Sequence, residues 1–559
     1  MYLRQTKEND RKKMPINRRI ISTLFIIAGC CFIQSLHAQT DGDNELRMMA
    51  QLNNITSFGE NAPYWFTANR QGVSSLEQHN GYLRLAATYG NHFGKKRQFG
   101  FRVTADITTA YNNARPIFVH QANAELSWKW LTLSVGSKER FAELKDDISQ
   151  FNGTSFSRNN VNHYFPNLFC RSIAGLSSGG LIYSGNSRPI PQIRLEVPEY
   201  TTIKGTNQWL HMKGHIAYGR FTDDRFQEEF AECNNITRYG KKILYHSKAA
   251  FLKVGKPQSF PLEIEGGLEM YSQFGGDIYT NRSGNYLSMP ASFYDYLKAF
   301  IPMSGSKDTP VDEQTNISGN QLGSWHAAIT LHTRPVDVRI YGEHMFEDFS
   351  QLFFLEYQSN KEGVRRVIFY PWKDMLAGIR ITNKSDILPF ISALQYEYMS
   401  TYDQSGALYH DPSVNFNEQM DGVDNYYNHG IYPGWHHWGM GMGNPLVISP
   451  LYNNDGSLAF KSNRVKAHNI GINGNFGNRY PFAYRIQYTY SVNWGTYLNA
   501  LKEKAYSNSL LGELVFAPRD SHWAGSIAIG YDNSNFIGNN FGTMISIVRT
   551  GAIKFSKKK

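Results

Sequence analysis

The chain has 559 residues, 41% of them hydrophobic and 14% aromatic, with a mean hydropathy of −0.45 and a formal charge of +10 at pH 7. A bundle of membrane helices, each needing about 20 apolar residues in a row, is excluded by so negative a hydropathy. The charge gives no nucleic-acid footprint, because no basic run is interleaved with aromatic residues and much of the excess sits in residues 1–38.

That first segment reads as a signal peptide. Arg4, Lys7, Arg11, Lys12, Lys13, Arg18 and Arg19 form its basic region, Ile20 to Ile33 its apolar region, and Leu36-His37-Ala38 its cleavage site. Ile27-Ala28-Gly29-Cys30 also fits a lipoprotein box, although Cys31-Phe32-Ile33 continues the apolar run where a mature lipoprotein turns polar. Both readings export the chain. Cys170 and Cys233 remain after cleavage; export permits a disulfide between them, and their spacing does not demand one.

Residues 39–559 are dominated by period-two alternation. Phe99, Phe101, Val103, Ala105 and Ile107 alternate with Arg102, Thr104, Asp106 and Thr108. The same pattern runs through 210–218, 262–270, 484–492 and 523–531. Successive strand residues face opposite sides, so each segment is a ribbon with one apolar face. Further candidates are 46–58, 82–89, 122–129, 131–137, 192–197, 243–253, 324–333, 336–346, 375–382, 391–402, 466–476, 509–516 and 541–555; the stretch 351–370 is ambiguous. Some joins are short, such as Arg334-Pro335 and Asn478-Arg479-Tyr480-Pro481, and others long, near 59–80, 138–191, 275–322 and 403–465. Short turns on one rim and long loops on the other predict an all-β fold: a transmembrane antiparallel β-barrel of about 18 strands, exported to the outer membrane of a Gram-negative envelope. The lumen is expected to be plugged by the long loops. Minor helices are expected around Phe141, Leu144, Lys145 and Ile148, and around Phe293 to Leu297. Outer-membrane lipid is the expected surroundings, and a monomer the expected state.

The stretch 421–452 stands out. It holds Tyr426, Tyr427, Tyr432, Trp435 and Trp438 among many Gly and Pro residues, which suit neither helix nor regular strand. A loop this long in an ordered protein is usually functional or disordered, and its aromatic content argues against disorder. Tyr426-Tyr-Asn-His429 and Gly443-Asn-Pro-Leu446 in it, with Pro63-Tyr-Trp-Phe-Thr-Ala-Asn-Arg-Gln-Gly72, Val135-Gly-Ser-Lys-Glu139 and Asn186-Ser-Arg-Pro-Ile-Pro191 upstream, resemble the capsule assembly Wzi family in order along the chain. The resemblance implies an eighteen-stranded barrel with a closed lumen. It also implies a lectin-like, non-enzymatic role in binding capsular polysaccharide and helping it attach at the cell surface.

Elementary chemistry is consistent with sugar binding. Sugar rings present C–H faces to aromatic rings, and their hydroxyls need directional partners. Tyr426, Tyr427, Tyr432, Trp435 and Trp438 are candidates for the first. Arg70, Asn428, His429, His436 and Asn444 are candidates for the second, and Arg70 and Arg188 for pairing the carboxylates of an acidic polymer. The alternative for each is a plug residue packed inside the lumen. His436-His437 is a poor metal site, since adjacent residues on an extended segment face opposite sides and no third ligand stands at a familiar spacing. No Gly-x-Ser-x-Gly elbow is present, and Glu263, Glu265 and Glu269 on one strand face need no catalytic explanation. No enzyme activity, metal or cofactor is therefore expected. A porin or passive channel is the main alternative, and an outer-membrane hydrolase a lesser one.

Overall fold

The computed structural model describes residues 44–94, 97–141, 154, 156–232, 238–280, 286–301, 319–347, 355–359, 365–369, 374–385, 390–404, 424–476 and 480–555. The expected signal peptide, Cys233 and the helix expected over Leu144 to Ile148 lie outside the described residues.

A single sheet of 18 strands forms the wall. In chain order these are β1 (Glu45–Gly59), β2 (His79–Phe93), β3 (Phe99–Tyr111), β4 (Ile117–Trp128), β5 (Leu131–Ser137) and β6 (Gln192–Thr202). Next come β7 (Leu210–Arg220), β8 (Leu244–Val254), β9 (Leu262–Phe274), β10 (Asn320–His332), β11 (Val336–Glu347) and β12 (Met375–Asn383). The last are β13 (Ala393–Ser400), β14 (Val465–Asn475), β15 (Phe482–Gly495), β16 (Ala500–Phe516), β17 (Trp523–Ser534) and β18 (Asn540–Lys554). Each pairs antiparallel with the next. β18 returns to β1, from Glu45 opposite Lys554 to Gly59 opposite Asn540, so the sheet closes and no edge is left. The stretch 351–370, ambiguous in sequence, holds a two-stranded hairpin of Leu355–Ser359 with Arg365–Phe369, separate from the wall.

Alternation decides which way each side chain points. On β17 and β18, Ile527, Ile529, Tyr531, Phe541, Ile545 and Ile547 face outward and are each close to half exposed, while Ala528, Met544, Ser546 and Val548 face the lumen and are buried. Leaving such rows in water would forgo roughly 1.5–3 kcal/mol per large side chain, so the outer face is a lipid face. Aromatic pairs mark the rim where β1 begins and β18 ends: Phe93 stacks on Phe99 at 5.6 Å and Phe482 meets Phe516 at 4.9 Å. Joins on that rim are short. Those on the other rim include 60–78, 138–191, 221–243, 275–319 and 401–464, and this long-loop rim is the extracellular one.

Two loops run against opposite sides of the wall. The join between β5 and β6 enters the lumen and reaches the opposite rim, where Asn159 Nδ2 donates to Pro518 O at 2.7 Å and Trp523 O at 3.0 Å. Two short helices stand there, α1 (Asn160–Tyr164) and α2 (Cys170–Ala174), with Asn159 Oδ1 accepting the Val161 N–H at 2.8 Å as an N-cap. Phe156, Val161 and Ile173 pack there on Val515 and Val548. Cys170 is buried in the same cluster, which pushes its thiol up to about 12. The chain then climbs back, and lumen-facing side chains satisfy its backbone at successive levels. Asn473 and Asn469 donate to Ile173 O and Leu176 O, each at 2.8 Å; Glu397 and Glu343 accept the Ser178 and Leu181 N–H groups at 2.6 and 2.7 Å. A strand wall thus does for the plug's backbone what water does for an exposed loop.

Outside the wall, α4 (Phe293–Phe300) lies against β7, β8 and β9, as the sequence predicts for a helix near Phe293. It follows α3 (Asp224–Glu232) in chain order, a helix of the 221–243 loop. Lys248, an outward residue on β8, donates to Phe300 O and, at 3.3 Å, to Ala299 O, covering the orphan carbonyls at the carboxyl end of α4. Phe293 is 80% exposed on the far side of this helix.

Candidate binding surface at the extracellular rim

The loop between β13 and β14 roofs the plug. Tyr426, Tyr427, Tyr432 and Trp435 are all but fully buried in it. Trp435 Nε1 donates to Ile182 O at 2.8 Å, and the Trp435 N–H donates to Tyr427 O at 2.7 Å. The Tyr427 N–H donates to Glu347 Oε1 at 2.8 Å and its hydroxyl to Leu181 O; burial raises that hydroxyl above its ordinary range. Tyr426 donates to Asp374 Oδ2 at 3.3 Å, Tyr432 to Gly275 O at 3.3 Å, and Asn444 Nδ2 to Gly179 O at 2.9 Å. At Gly443 a Cβ would stand 2.4 Å from Leu181 O, so only glycine lets the two loops approach. These sequence-singled rings are the plug's own core.

Two residues further the chain turns outward. His436 pairs with Gly441 and His437 with Met440, leaving Trp438 and Gly439 as a two-residue turn with φ of +57° and +75°. Positive φ at both positions is what a tight hairpin of this kind requires, and Asn-Gly is its favoured pair. A tryptophan there costs roughly 1–2 kcal/mol of backbone strain. Its ring is half-buried at the rim. The Arg188 guanidinium lies 4.5 Å from the ring centre, that of Arg115 5.9 Å, and the Phe226 ring 5.6 Å. The Trp438 N–H donates to Asp223 Oδ2 at 2.9 Å. Arg188 is itself buried, giving Nε to Gly72 O and Nη2 to Asn113 Oδ1, both at 3.0 Å. Burial lowers its pKa to about 10, with Arg115 adding to the effect and Asp223 opposing it. Arg188 is therefore a clamp behind the ring, while Arg115, paired with Glu229 at 3.2 Å, retains solvent contact.

Neither histidine of the pair joins a metal cluster among the described residues. His437 Nδ1 meets Arg188 O at 2.9 Å, and Nε2 meets Thr222 Oγ1 at 3.0 Å. The ring nitrogens of His436 have no hydrogen-bond partner among the described residues; the nearest carboxylate, Asp223 Oδ2, is 3.9 Å away. Burial lowers its pKa to about 4, against the pull of Asp223. His429 Nδ1 accepts the Ile431 N–H at 3.1 Å, and Asn428 bridges to Phe460 in both directions at 2.8 and 2.9 Å; both side chains brace the loop at the rim.

Arg70 is placed apart from the rim. It reaches Glu513 Oε2 at 3.3 Å and Ser172 Oγ at 3.2 Å, and lines an internal cavity of about 130 Å³ with Arg84, Glu139, Arg171 and Arg485. That is below the roughly 300–1,000 Å³ of ordinary ligand pockets. Beside it, Asp106, His120 and Glu139 bring ligand atoms within 4.8 Å of one another, a geometry open to a cation. Arg84 already stands between them, 2.5 Å from Asp106 and 2.6 Å from Glu139, and takes the place an ion would fill.

Sequence reasoning singled out Trp438 and Arg188 but missed Arg115, Asp223 and Phe226. These lie in other loops, and no local pattern marks them as neighbours of Trp438.

No family model and no curated protein matches the chain. Among solved structures it is similar to Wzi of Escherichia coli, described as a carbohydrate-binding β-barrel in group 1 capsule assembly, at 12% identity over 91% of this chain and 85% of that one, with a TM-score of 0.49. It is also similar to OccAB4 of Acinetobacter baumannii, at 9% identity over 92% and 99% with a TM-score of 0.42, and to OccK5 of Pseudomonas aeruginosa, at 9% over 91% and 98% with a TM-score of 0.43. The closed wall, its apolar outer face and its unequal rims define the class: an outer-membrane β-barrel.

Proposed function

We propose that this barrel binds an acidic surface polysaccharide at its extracellular rim and, as a monomer, helps hold capsule on the cell. The observation that carries the reading is Trp438, a large ring kept at a turn position whose backbone disfavours it, backed by Arg188 and flanked by solvent-reaching Arg115. Backbone strain clusters at functional sites, and here it falls on a half-buried aromatic ring at the rim. The ring offers a face to a sugar, and Arg115 a partner to its carboxylate. The resemblance of the Pro63–Gly72, Asn186–Pro191 and Gly443–Leu446 motifs to the capsule assembly Wzi family favours the same reading. Nothing in it calls for a cofactor or a covalent step, so polymer incubated with the protein should keep its mass.

Deletion of the gene tests it: cell-bound polymer should fall while shed polymer rises. Unchanged amounts in both fractions would remove the reading.

A passive channel is the second reading. It is favoured by Arg102, a lumen-facing residue on β3 whose side chain is 56% exposed, so that part of the periplasmic half of the lumen is not filled by the plug. Steady current through the wild-type protein in planar bilayers would establish it; the threaded plug predicts none.

A further inference from the structure

Cations on a lipid-facing wall need a partner. Lys248 has one inside the fold, the carboxyl end of α4. At the extracellular end of β14–β16 no described carboxylate or helix end plays that part. Val465, Ala467 and Ala505 face the lumen and are buried, so Lys466 and Lys504 point outward, and Arg464 lies one step above Lys466 on the same side. No described carboxylate lies within 4.0 Å of any of these three side chains. Aromatic rings hold them instead. Arg464 sits 4.3 Å from the centre of Tyr402 and 4.0 Å from that of Tyr497, and its Nε donates to Tyr402 O at 2.9 Å. Lys466 lies 4.5 Å over Tyr402, and Lys504 5.6 Å over Trp494. Tyr402 and Trp494 meet edge to face at 4.7 Å, which makes one continuous cluster on the outer wall.

The neighbours of this cluster in the membrane are headgroups of the outer leaflet. We propose that it is a binding site for a phosphorylated glycolipid of that leaflet, with Arg464, Lys466 and Lys504 pairing its phosphates and the aromatic rings lying along its sugars. Guanidinium and ammonium groups near a membrane surface seek anionic headgroups, and phosphate takes charge-assisted hydrogen bonds from both. The rings distinguish a glycolipid from an ordinary anionic phospholipid, whose headgroup has no pyranose face to cover them.

The test uses the full-length protein in vesicles of phosphatidylcholine doped with bisphosphorylated lipid A, with the same lipid dephosphorylated, or with phosphatidylglycerol. Retained lipid is read by native mass spectrometry. Wild type should retain the bisphosphorylated glycolipid at least tenfold over either other lipid. Each cation removed should cost about fivefold, and the combined Arg464→Gln, Lys466→Gln and Lys504→Gln change about a hundredfold. Lys461→Gln, a change at a loop cation paired with Asp455 at 2.9 Å, should change nothing. Equal retention of the dephosphorylated lipid or of phosphatidylglycerol by wild type would overturn the proposal, as would an undiminished preference in the triple variant. If the triple variant does not insert as a heat-resistant barrel, Lys504→Gln alone decides; unchanged retention there overturns the proposal equally.

Discussion

Trp435 and Trp438 stand three residues apart, on one loop, in similar glycine-rich surroundings, and the fold uses them in opposite ways. Trp435 is 0% exposed, hydrogen-bonded to Ile182 O and enclosed by Tyr245 and Tyr271 of the wall. Trp438 is carried to the rim on a turn that strains its backbone. The first has a clear energetic reason to be large and aromatic, since it fills the barrel. The second packs on one side only, against Phe226 and the small cluster around it, and leaves the rest of its ring at the rim; the difference separates a residue enclosed by structure from one left with surface for contact.

The comparison can be broken first at Trp435. Trp435→Ala should cost about 3–5 kcal/mol of plug stability, through the cavity it leaves and the Ile182 carbonyl it orphans. The wall should survive, because its ladder does not depend on the ring. Limited proteolysis should then cut within 424–464, and channel openings should appear in planar bilayers where wild type is silent. A variant as resistant and as silent as wild type would show that the loop is not a plug.

Acid should loosen the same roof by a smaller amount. His436 titrates near 6.5 when the loop is released and at about 4 when it is seated, because burial disfavours the imidazolium. The released form therefore takes up a proton first. Stability from this group is full above pH 6.5 and is lost as pH falls toward 4, on the order of 3 kcal/mol in all. Asp374 beneath the roof works the other way. Burial raises it to about 6, so protonation as pH falls through 6 relieves a buried charge and favours the seated loop. His436→Gln isolates the histidine. Amide exchange over 424–464 should rise between pH 6.5 and 4 more steeply in wild type than in the variant, and parallel curves would rule the histidine out.

The wall was legible because a strand writes its burial into every second residue: all eighteen strands contain segments that alternation alone marks. The join lengths marked the rims for the same local reason. What lay inside the lumen was not legible. The plug is held by Glu343, Glu347, Glu397, Asn469 and Asn473, strand residues that look like any polar lumen lining until the loop is seated on them. Tyr427 and Trp435 carry the same sequence signal whether they fill a barrel or face a sugar. Arg115 and Asp223 reach Trp438 from loops more than 200 residues away, beyond any spacing rule. One signal was available and unread: His246 and Lys248 share the outward face of a strand with Leu244, Ala250 and Leu252, which calls for an external partner such as α4.

The smallest expected effect on stability is also the sharpest test of the contact reading, at Trp438. Trp438→Asn places the residue the turn prefers where tryptophan now stands. The turn gains roughly 1–2 kcal/mol of relieved backbone strain. Loss of the contacts with Arg188 and Phe226 gives back about 1–2.5 kcal/mol. Thermal stability of the plug should therefore stay within about 1.5 kcal/mol of wild type. Binding of purified acidic capsular polymer should meanwhile fall about tenfold, the value of one aromatic contact of roughly 1–1.5 kcal/mol. A residue that served packing would show the reverse, with stability lost and binding kept. Glycan-array or surface-plasmon binding measured beside a melting curve gives both numbers from one preparation, and a variant that is destabilised yet binds normally would return Trp438 to the plug.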